Sequence, residues 1–404
     1  MTDEFVTVLD LGSTRALALS ATVGSQGSLK VRGIASIESR GVKKGVVTNV
    51  EEAGRTVDAL MRRLQQQIQG PIGKLVVGVS GAHVEGMSAQ GFKPIVPKSR
   101  TITRQDVLEV VNHSRSILFP PDREQIQAIP REFRVDEQRN VKRPVGVTGA
   151  KLEILTYLVS GQIKHIQDLE RAFTLGGHNI EQMVLAPLAA GLGVLTPAEL
   201  ESGTLVVDIG GGKTDLAIFI QGSIAYSACL PVGGQSVTND LAMLLKTSPE
   251  DAEQLKIEHG GALARLAPMR TVEVQQIGQA IKRPLQSQVL FEIIESRMKE
   301  IARMVDQHVE RSGFRGQLAG GAVLTGGGSL LPETATLFDE HLTHTKVRLG
   351  EPHLAQGPKF GKAVAIGLGK FELQCREEIV TATVGQDWRE KVRSLWSSVS
   401  GKGN

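Results

Sequence analysis

Near the N-terminus the apolar residues form short continuous runs. Val6-Thr7-Val8-Leu9 leads into Asp10, and after Gly12-Ser13-Thr14 the chain returns through Ala16-Leu17-Ala18-Leu19. Two β-rich runs around a short glycine turn predict a hairpin. Over residues 51–69 the period changes. Ala53, Val57, Leu60, Met61, Leu64 and Ile68 share one helical face, and Gly70-Pro71 is expected to stop the helix. Residues 75–79 read as another buried strand. From 83 to 161 the texture shifts to prolines, arginines and short mixed segments. A helical spacing over 104–118 is broken by Pro120-Pro121, and strand patterns follow at 127–135 and 151–159. This stretch is expected to be a small α+β insert, followed by a helix over about 162–175.

The opening device then recurs. Thr204-Leu205-Val206-Val207 ends in Asp208 and passes through Gly210-Gly211-Gly212-Lys213-Thr214 into an apolar run at 216–220. A mainly helical stretch is expected over 237–311. Ala322-Val323-Leu324-Thr325 then reads as a strand entering Gly326-Gly327-Gly328. Residues 381–386 read as a connector to a terminal helix.

Two copies of strand, Asp, glycine turn and strand suggest two related domains facing each other. Glycine turns present consecutive backbone N–H groups with no Cβ in the way, which suits a concave phosphate site. An aspartate closing each strand suits hydrated Mg²⁺, which is bound through few carboxylates plus phosphates. The bland alternative is a pair of ordinary hairpin loops, and the second copy together with the third glycine cluster weighs against it. Gly212-Lys213-Thr214 mimics the end of a Walker A loop. That loop needs a glycine where Val207 stands and opens a helix rather than a strand, so a P-loop is excluded.

Composition narrows the function class. The chain has 404 residues, enough for two or more domains, with 41% hydrophobic and 22% charged residues as in ordinary globular proteins. A net charge of +3 and only 4% aromatic residues argue against a nucleic-acid partner. Two distant cysteines, Cys229 and Cys375, make a disulfide framework or a cysteine-based zinc site an unsuitable reading. The acidic start lacks the pattern of a signal peptide, and no apolar run reaches bilayer-spanning length. Any membrane contact is therefore expected to be peripheral.

The terminal segment offers such a contact. Trp388, Val392, Leu395, Trp396 and Val399 form a continuous helical face, and both tryptophans of the chain lie on it. Arg389, Lys391 and Arg393 surround it. Tryptophan beside Lys and Arg suits a helix lying in the headgroup plane. A helix packed onto the body or into a partner's groove is the competing reading.

The two phosphate-loop motifs, together with Leu324-Thr325-Gly326-Gly327-Gly328-Ser329, resemble the phosphate and adenosine motifs of the actin, Hsp70 and sugar-kinase superfamily. Within it the chain resembles the FtsA family of bacterial division proteins. The narrower likeness lies in Ile102-Thr103-Arg104-Gln105-Asp106-Val107, in residues 144–153, in Val232-Gly233-Gly234 with residues 238–242, and in Ile294-Glu295-Ser296-Arg297. The second phosphate loop of that family usually carries threonine where this chain has Lys213. The resemblance implies an α/β, actin/Hsp70-like two-lobed ATPase fold with ribonuclease H-like subdomains, the inserted α+β subdomain and the amphipathic C-terminal helix. It divides the chain into lobe 1 at 1–82 and 162–203, the insert at 83–161, the core of lobe 2 at 204–230 and 316–376, and a helical subdomain at 231–315. A linker at 377–386 and a membrane-targeting helix at 387–404 complete it.

The resemblance further implies ATP and Mg²⁺ as cofactors. ATP would be held by Asp10, Gly12, Ser13, Thr14, Asp208, Gly210, Gly211, Gly212, Lys213, Thr214, Gly233, Gly234, Gly326, Gly327, Gly328 and Ser329, with Asp10 and Asp208 reaching Mg²⁺ through water. Glu253 and Lys256, on a helix that Ser248-Pro249 begins, either form a surface ion pair or border ribose and adenine. The implied partners are the FtsZ C-terminal tail on the helical subdomain near Arg297, further copies of the chain in a filament, other division proteins, and lipids. The implied place is the cytoplasmic face of the membrane at the division site. No residue stands out as a water-positioning base, so ATP hydrolysis is expected to be slow or absent. A small-molecule kinase of the superfamily and the related pilus-assembly ATP-binding protein are the alternatives.

Overall fold

The computed structural model describes residues 4–23, 29–97, 99–279, 281–343, 345–352 and 363–381. The terminal helix expected at 387–404, and the linker from 382 onward, lie outside the described residues.

Each lobe is built on a five-stranded mixed sheet, and the two sheets share one topology. In lobe 1 the order is Gln182–Leu185, Lys74–Val79, Glu4–Leu11, Arg15–Val23, Leu29–Glu38. In lobe 2 it is Val347–Leu349, Ala322–Thr325, Thr204–Ile209, Thr214–Ile220, Ser223–Leu230. In both, three consecutive strands run antiparallel and two later strands add in parallel beside the first. The repeat expected from the two Asp-glycine turns is therefore a repeat of whole sheets.

The near-continuous apolar runs follow from burial on both sheet faces. Alternate side chains along Glu4–Leu11 enter different cores. Val6 and Val8 join a central cluster, whereas Leu9 and Leu11 pack with Val57, Leu60 and Leu64 of helix Val50–Gln65. In lobe 2, Val206 faces the same central cluster, while Leu205, Val207 and Ile209 face the helical subdomain. The lobes thus share one core, filled by helices Ala186–Val194 and Ala363–Thr381. The first of these is buried on every side and apolar throughout, as a helix at the centre of a core must be. Glycines let the two helices touch. A Cβ on Gly367 would lie 1.6 Å from the Ala189 carbonyl oxygen.

Helix Val50–Gln65 starts at Asn49, whose side chain accepts from the N–H groups of Glu51 and Glu52 at 3.1 Å, and it carries Arg62 and Arg63 in its last turn. It ends four residues before the expected Gln69. Ile68 still reaches the core, but from a turn in which Gln67 Oε1 accepts the Ile34 N–H at 3.1 Å. Helix Arg104–Arg115 likewise stops short of 118, because Leu118 faces solvent rather than the insert's core. The insert itself is a three-stranded antiparallel sheet of Val84–Pro94, Lys151–Gln162 and Arg123–Val135 under that helix. Tyr157 of the insert hydrogen-bonds Ser227 of lobe 2 at 2.9 Å.

The mainly helical stretch gains a strand pair, and one boundary needs correcting. The stretch 237–311 contains a hairpin, Thr271–Val274 with Arg283–Gln286, between helices Gly234–Leu245, Pro249–His259 and Ser287–Ser312. Its alternation of exposed Thr271 and Glu273 with buried Val272 and Val274 is a two-residue period too short to stand out beside the helical segments. The C-terminal helix also runs through Thr381, so residues 377–381 are helical rather than linker.

Candidate functional site: a cleft between two glycine hairpins

Between the lobes lies a cleft of about 1270 Å³. Its floor is made by the two hairpins, whose turns close in the same way. Gly12 N–H donates to the Arg15 carbonyl at 3.1 Å, and Gly210 N–H to the Lys213 carbonyl at 2.9 Å. Asp10 and Asp208 therefore occupy equivalent positions at the ends of equivalent strands. The turns abut so closely that a Cβ on Gly211 would lie 2.6 Å from Thr14 Oγ1, and one on Gly212 2.5 Å from Ser13 Oγ.

Lobe 2 supplies the remaining walls. Strand Ala322–Thr325 pairs in parallel with Thr204–Ile209, which sets Thr325 beside Asp208 and delivers Gly326 against the aspartate. Gly326 has φ +84°, and a Cβ there would meet Asp208 Oδ1 at 2.2 Å. Ser329 Oγ donates to the Gly326 carbonyl at 2.8 Å and holds the turn. Gly233 and Gly234 seat helix Gly234–Leu245 on the second hairpin: Gly234 N–H donates to Gly210 O at 2.9 Å, and Gln235 N–H to Gly211 O at 2.8 Å. On the next helix, capped by Ser248 Oγ accepting from Asp251 N–H at 3.0 Å, Lys256 Nζ bonds Glu253 at 2.6 Å, Thr238 Oγ1 at 2.9 Å and Gly234 O at 3.1 Å. Glu253 and Lys256 thus form an ion pair and also border the cleft.

All but three of the residues expected at a nucleotide site line the cleft. Thr214 is buried with its hydroxyl bonded to Val232 O at 2.9 Å, while Gly233 and Ser329 support the wall from behind. Lys213 takes neither of the simple positions, solvent or free cleft. Its ammonium is paired with Asp215. The other Asp215 oxygen accepts from Ser80 Oγ, at the end of a lobe 1 strand, so a polar bridge crosses between the lobes. Ser80 and Asp215 were not anticipated as site residues. Nor was Arg15, which lines the cleft at the turn position matching Lys213. Arg297 lies on helix Ser287–Ser312 and bonds Asp240 through two nitrogens at 2.7 and 3.0 Å, with Glu300 on its other side. It joins two helices of the subdomain and does not line the cleft.

Burial dominates the electrostatics. It raises the Asp208 carboxyl to about 7, with Asp215 and Asp10 adding to the effect and Lys213 opposing it. Asp10 is also raised, by burial first, with Lys213 opposing and Asp215 adding. Burial works against the Lys213 charge, yet Asp215 beside it holds the ammonium above the ordinary lysine range. The site is built for charge: Asp10, Asp208 and Asp215 stand at the two hairpins with the Lys213 ammonium among them, in a glycine-lined cleft that Arg15 and Lys256 also border.

Two lobes of one topology around such a cleft define the actin-like fold class. Solved structures agree. The chain is similar to the PilM–PilN type IV pilus biogenesis complex (TM-score 0.63, 16% identity, covering 91% of this chain and 98% of that one). It is also similar to MreB5 of Spiroplasma citri bound to ADP (TM-score 0.57, 15% identity, 93% and 98% covered). In sequence, the profile described as "Cell division protein FtsA" matches residues 205–367, and "SHS2 domain inserted in FTSA" matches 81–160, the expected insert. The chain is 35% identical to the cell division protein FtsA of Pseudomonas aeruginosa over 86% of its own length and 83% of that protein's. The chain belongs to the FtsA family of cell division proteins.

Proposed function

We propose that this chain is an ATP-dependent filament anchor of the division machinery. The cleft holds ATP with Mg²⁺, copies of the chain self-associate, the helical subdomain receives the FtsZ C-terminal tail, and the C-terminal helix rests on the cytoplasmic face of the membrane. The observation that carries the nucleotide reading is the equivalence of Asp10 and Asp208 at the ends of two matching hairpins that face one cleft. Among the described residues no group of three or more side chains is placed to hold a metal ion by itself. Two strand-end carboxylates suit a cation held mainly by water and phosphate, which is how Mg²⁺ is commonly bound. Mg²⁺, when bound, would supply charge to the phosphates; Asp10 and Asp208 would hold it through water, and the backbone N–H groups of the two turns would receive phosphate oxygens. Gly326–Gly328 form the wall for the adenosine, with Glu253 and Lys256 beside the ribose.

Membership of the FtsA family supports the FtsZ and septum readings over a sugar-kinase role. The likeness to PilM, at 16% identity, is one of fold. ATP acts here as a conformational and assembly ligand. Asp215, one of the carboxylates lining the cleft, is tied to Lys213 and Ser80. Steady phosphate release above about 1 per second, within the ordinary enzyme range, counts against this part of the proposal.

Coupling of assembly to membrane contact follows from magnitude. Each large apolar side chain of the tail contributes about 1.5–3 kcal/mol when fully buried, less the cost of ordering the helix. One tail therefore binds reversibly, and many tails in a filament bind with avidity. Liposome co-sedimentation with and without ATP and FtsZ tests this, using the full chain and a chain ending at Gly385. The full chain is expected to pellet with vesicles, to do so more completely with ATP, and to bring FtsZ down. Equal pelleting of both chains overturns the anchor.

A further inference from the structure

The second hairpin carries its own cation into the cleft. Asp208 and Asp215 are direct partners across the antiparallel strands Thr204–Ile209 and Thr214–Ile220. Side chains so paired lie on one face with Cβ atoms about 4.5–5.5 Å apart, and like charges there repel. Asp10 borders the same space from lobe 1. Lys213 stands among these three carboxylates with its side chain only 16% exposed, ion-paired to Asp215. Its position is fixed twice over. The Gly210 N–H bond to its carbonyl closes the turn at 2.9 Å, and Ser80 of lobe 1 pins the Asp215 carboxylate to which its ammonium is bonded. An ammonium has three N–H donors, and Asp215 engages one of them, which leaves donors for phosphate oxygens in the cleft it lines.

We propose that Lys213 is a tethered counter-cation of the phosphate site, so that this chain binds the nucleotide triphosphate with little dependence on a divalent metal. This rests on the nucleotide reading of the cleft and specifies its cation requirement. A fixed ammonium offsets one of the three carboxylates, Asp215, in advance of the ligand and keeps N–H donors for its phosphates. Without it, Asp215 loses its ion-pair partner, three carboxylates face the triphosphate from the two hairpins, and a divalent ion must accompany it. With it, Mg²⁺ adds to binding but does not enable it. The bridge through Asp215 to Ser80 also means that the ammonium is held from both lobes, so it is in place when the lobes are closed on the phosphates.

The test is calorimetric titration of the full-length protein with ATP, once with excess Mg²⁺ and once with EDTA. For the unmodified chain the two affinities are expected to agree within about threefold, whereas for Lys213→Thr they differ by about tenfold or more. Lys213→Arg, which restores the charge, should return the metal tolerance. Thermal melting of each variant establishes that it is folded, and the unmodified chain alone already exposes the proposal to refutation. A tenfold loss in EDTA for the unmodified chain overturns it and leaves Lys213 as a structural partner of Asp215. So does a Lys213→Thr protein with unchanged metal dependence. Absence of ATP binding in both buffers refutes the cleft reading itself, an outcome distinct from metal-dependent binding.

Discussion

Gly326 and Gly327 are neighbours in one motif, yet a methyl group added to each should have opposite consequences. Gly326 has φ +84° and ψ 167°, a region that is essentially reserved for glycine and costs other residues about 1–3 kcal/mol. Its Cβ would also lie 2.2 Å from Asp208 Oδ1 and 2.5 Å from the Ile209 carbonyl oxygen. The carboxylate can turn aside, but the backbone oxygen belongs to a central strand and cannot. Gly326→Ala is therefore expected to destabilise lobe 2 by about 3 kcal/mol, lowering the melting midpoint by roughly 6 °C. Gly327 has nothing within 4 Å of its Cβ position, and it lines the cleft. Gly327→Ala should melt as the unmodified chain does. Its methyl group projects into the space assigned to adenosine, so ATP affinity should fall by about tenfold or more. Scanning fluorimetry and ATP calorimetry on the two variants read both effects. The reasoning is refuted if Gly326→Ala keeps its melting midpoint, or if Gly327→Ala binds ATP like the parent.

Three other outcomes follow from the same structure and sequence. His83, edge-to-face with His165 at 5.0 Å between ring centroids, is lowered to about 4 by burial first, then by His165, Lys213 and Arg123. Its neutral form is the folded form, so its contribution is complete above pH 6.5 and is lost as pH falls towards 4, an effect of roughly 3 kcal/mol. Denaturant titrations at pH 7 and pH 4.5 should show a shallower acid loss for His83→Gln, and parallel losses count against this. Asn49→Ala should cost helix Val50–Gln65 about 1 kcal/mol by removing the two N-terminal hydrogen bonds, read as a lower denaturation midpoint. Trp388→Glu with Trp396→Glu should release the protein from vesicles in co-sedimentation while ATP binding persists. Loss of both activities together contradicts a separate anchor.

The hairpins were legible because burial on both sheet faces produces continuous apolar runs, and because Asp-glycine corners are locally distinctive. The insert showed itself through its change of texture. Helix ends were less legible: Ile68 and Leu118 keep the helical period after the helix has stopped, one from a turn into the core and one in solvent. The hairpin at Thr271–Val274 was hidden by flanking helices. The least legible features join distant parts of the chain. Nothing local in Ser80 points to Asp215, and nothing in the second turn tells that Lys213 folds back upon that aspartate. Arg15 could be found by aligning the two turns beyond their glycines, since it and Lys213 accept the same closing hydrogen bond. Side-chain pairing across the cleft requires the fold first.

The central claim is that two equivalent hairpins grip one triphosphate. Calorimetric titration of the folded full-length chain with ATP, and separately with AMP, addresses it most directly. The account predicts one ATP per chain, bound about a hundredfold or more tighter than AMP, because the hairpins act on the β- and γ-phosphates. No heat with ATP, or equal affinity for ATP and AMP, contradicts it.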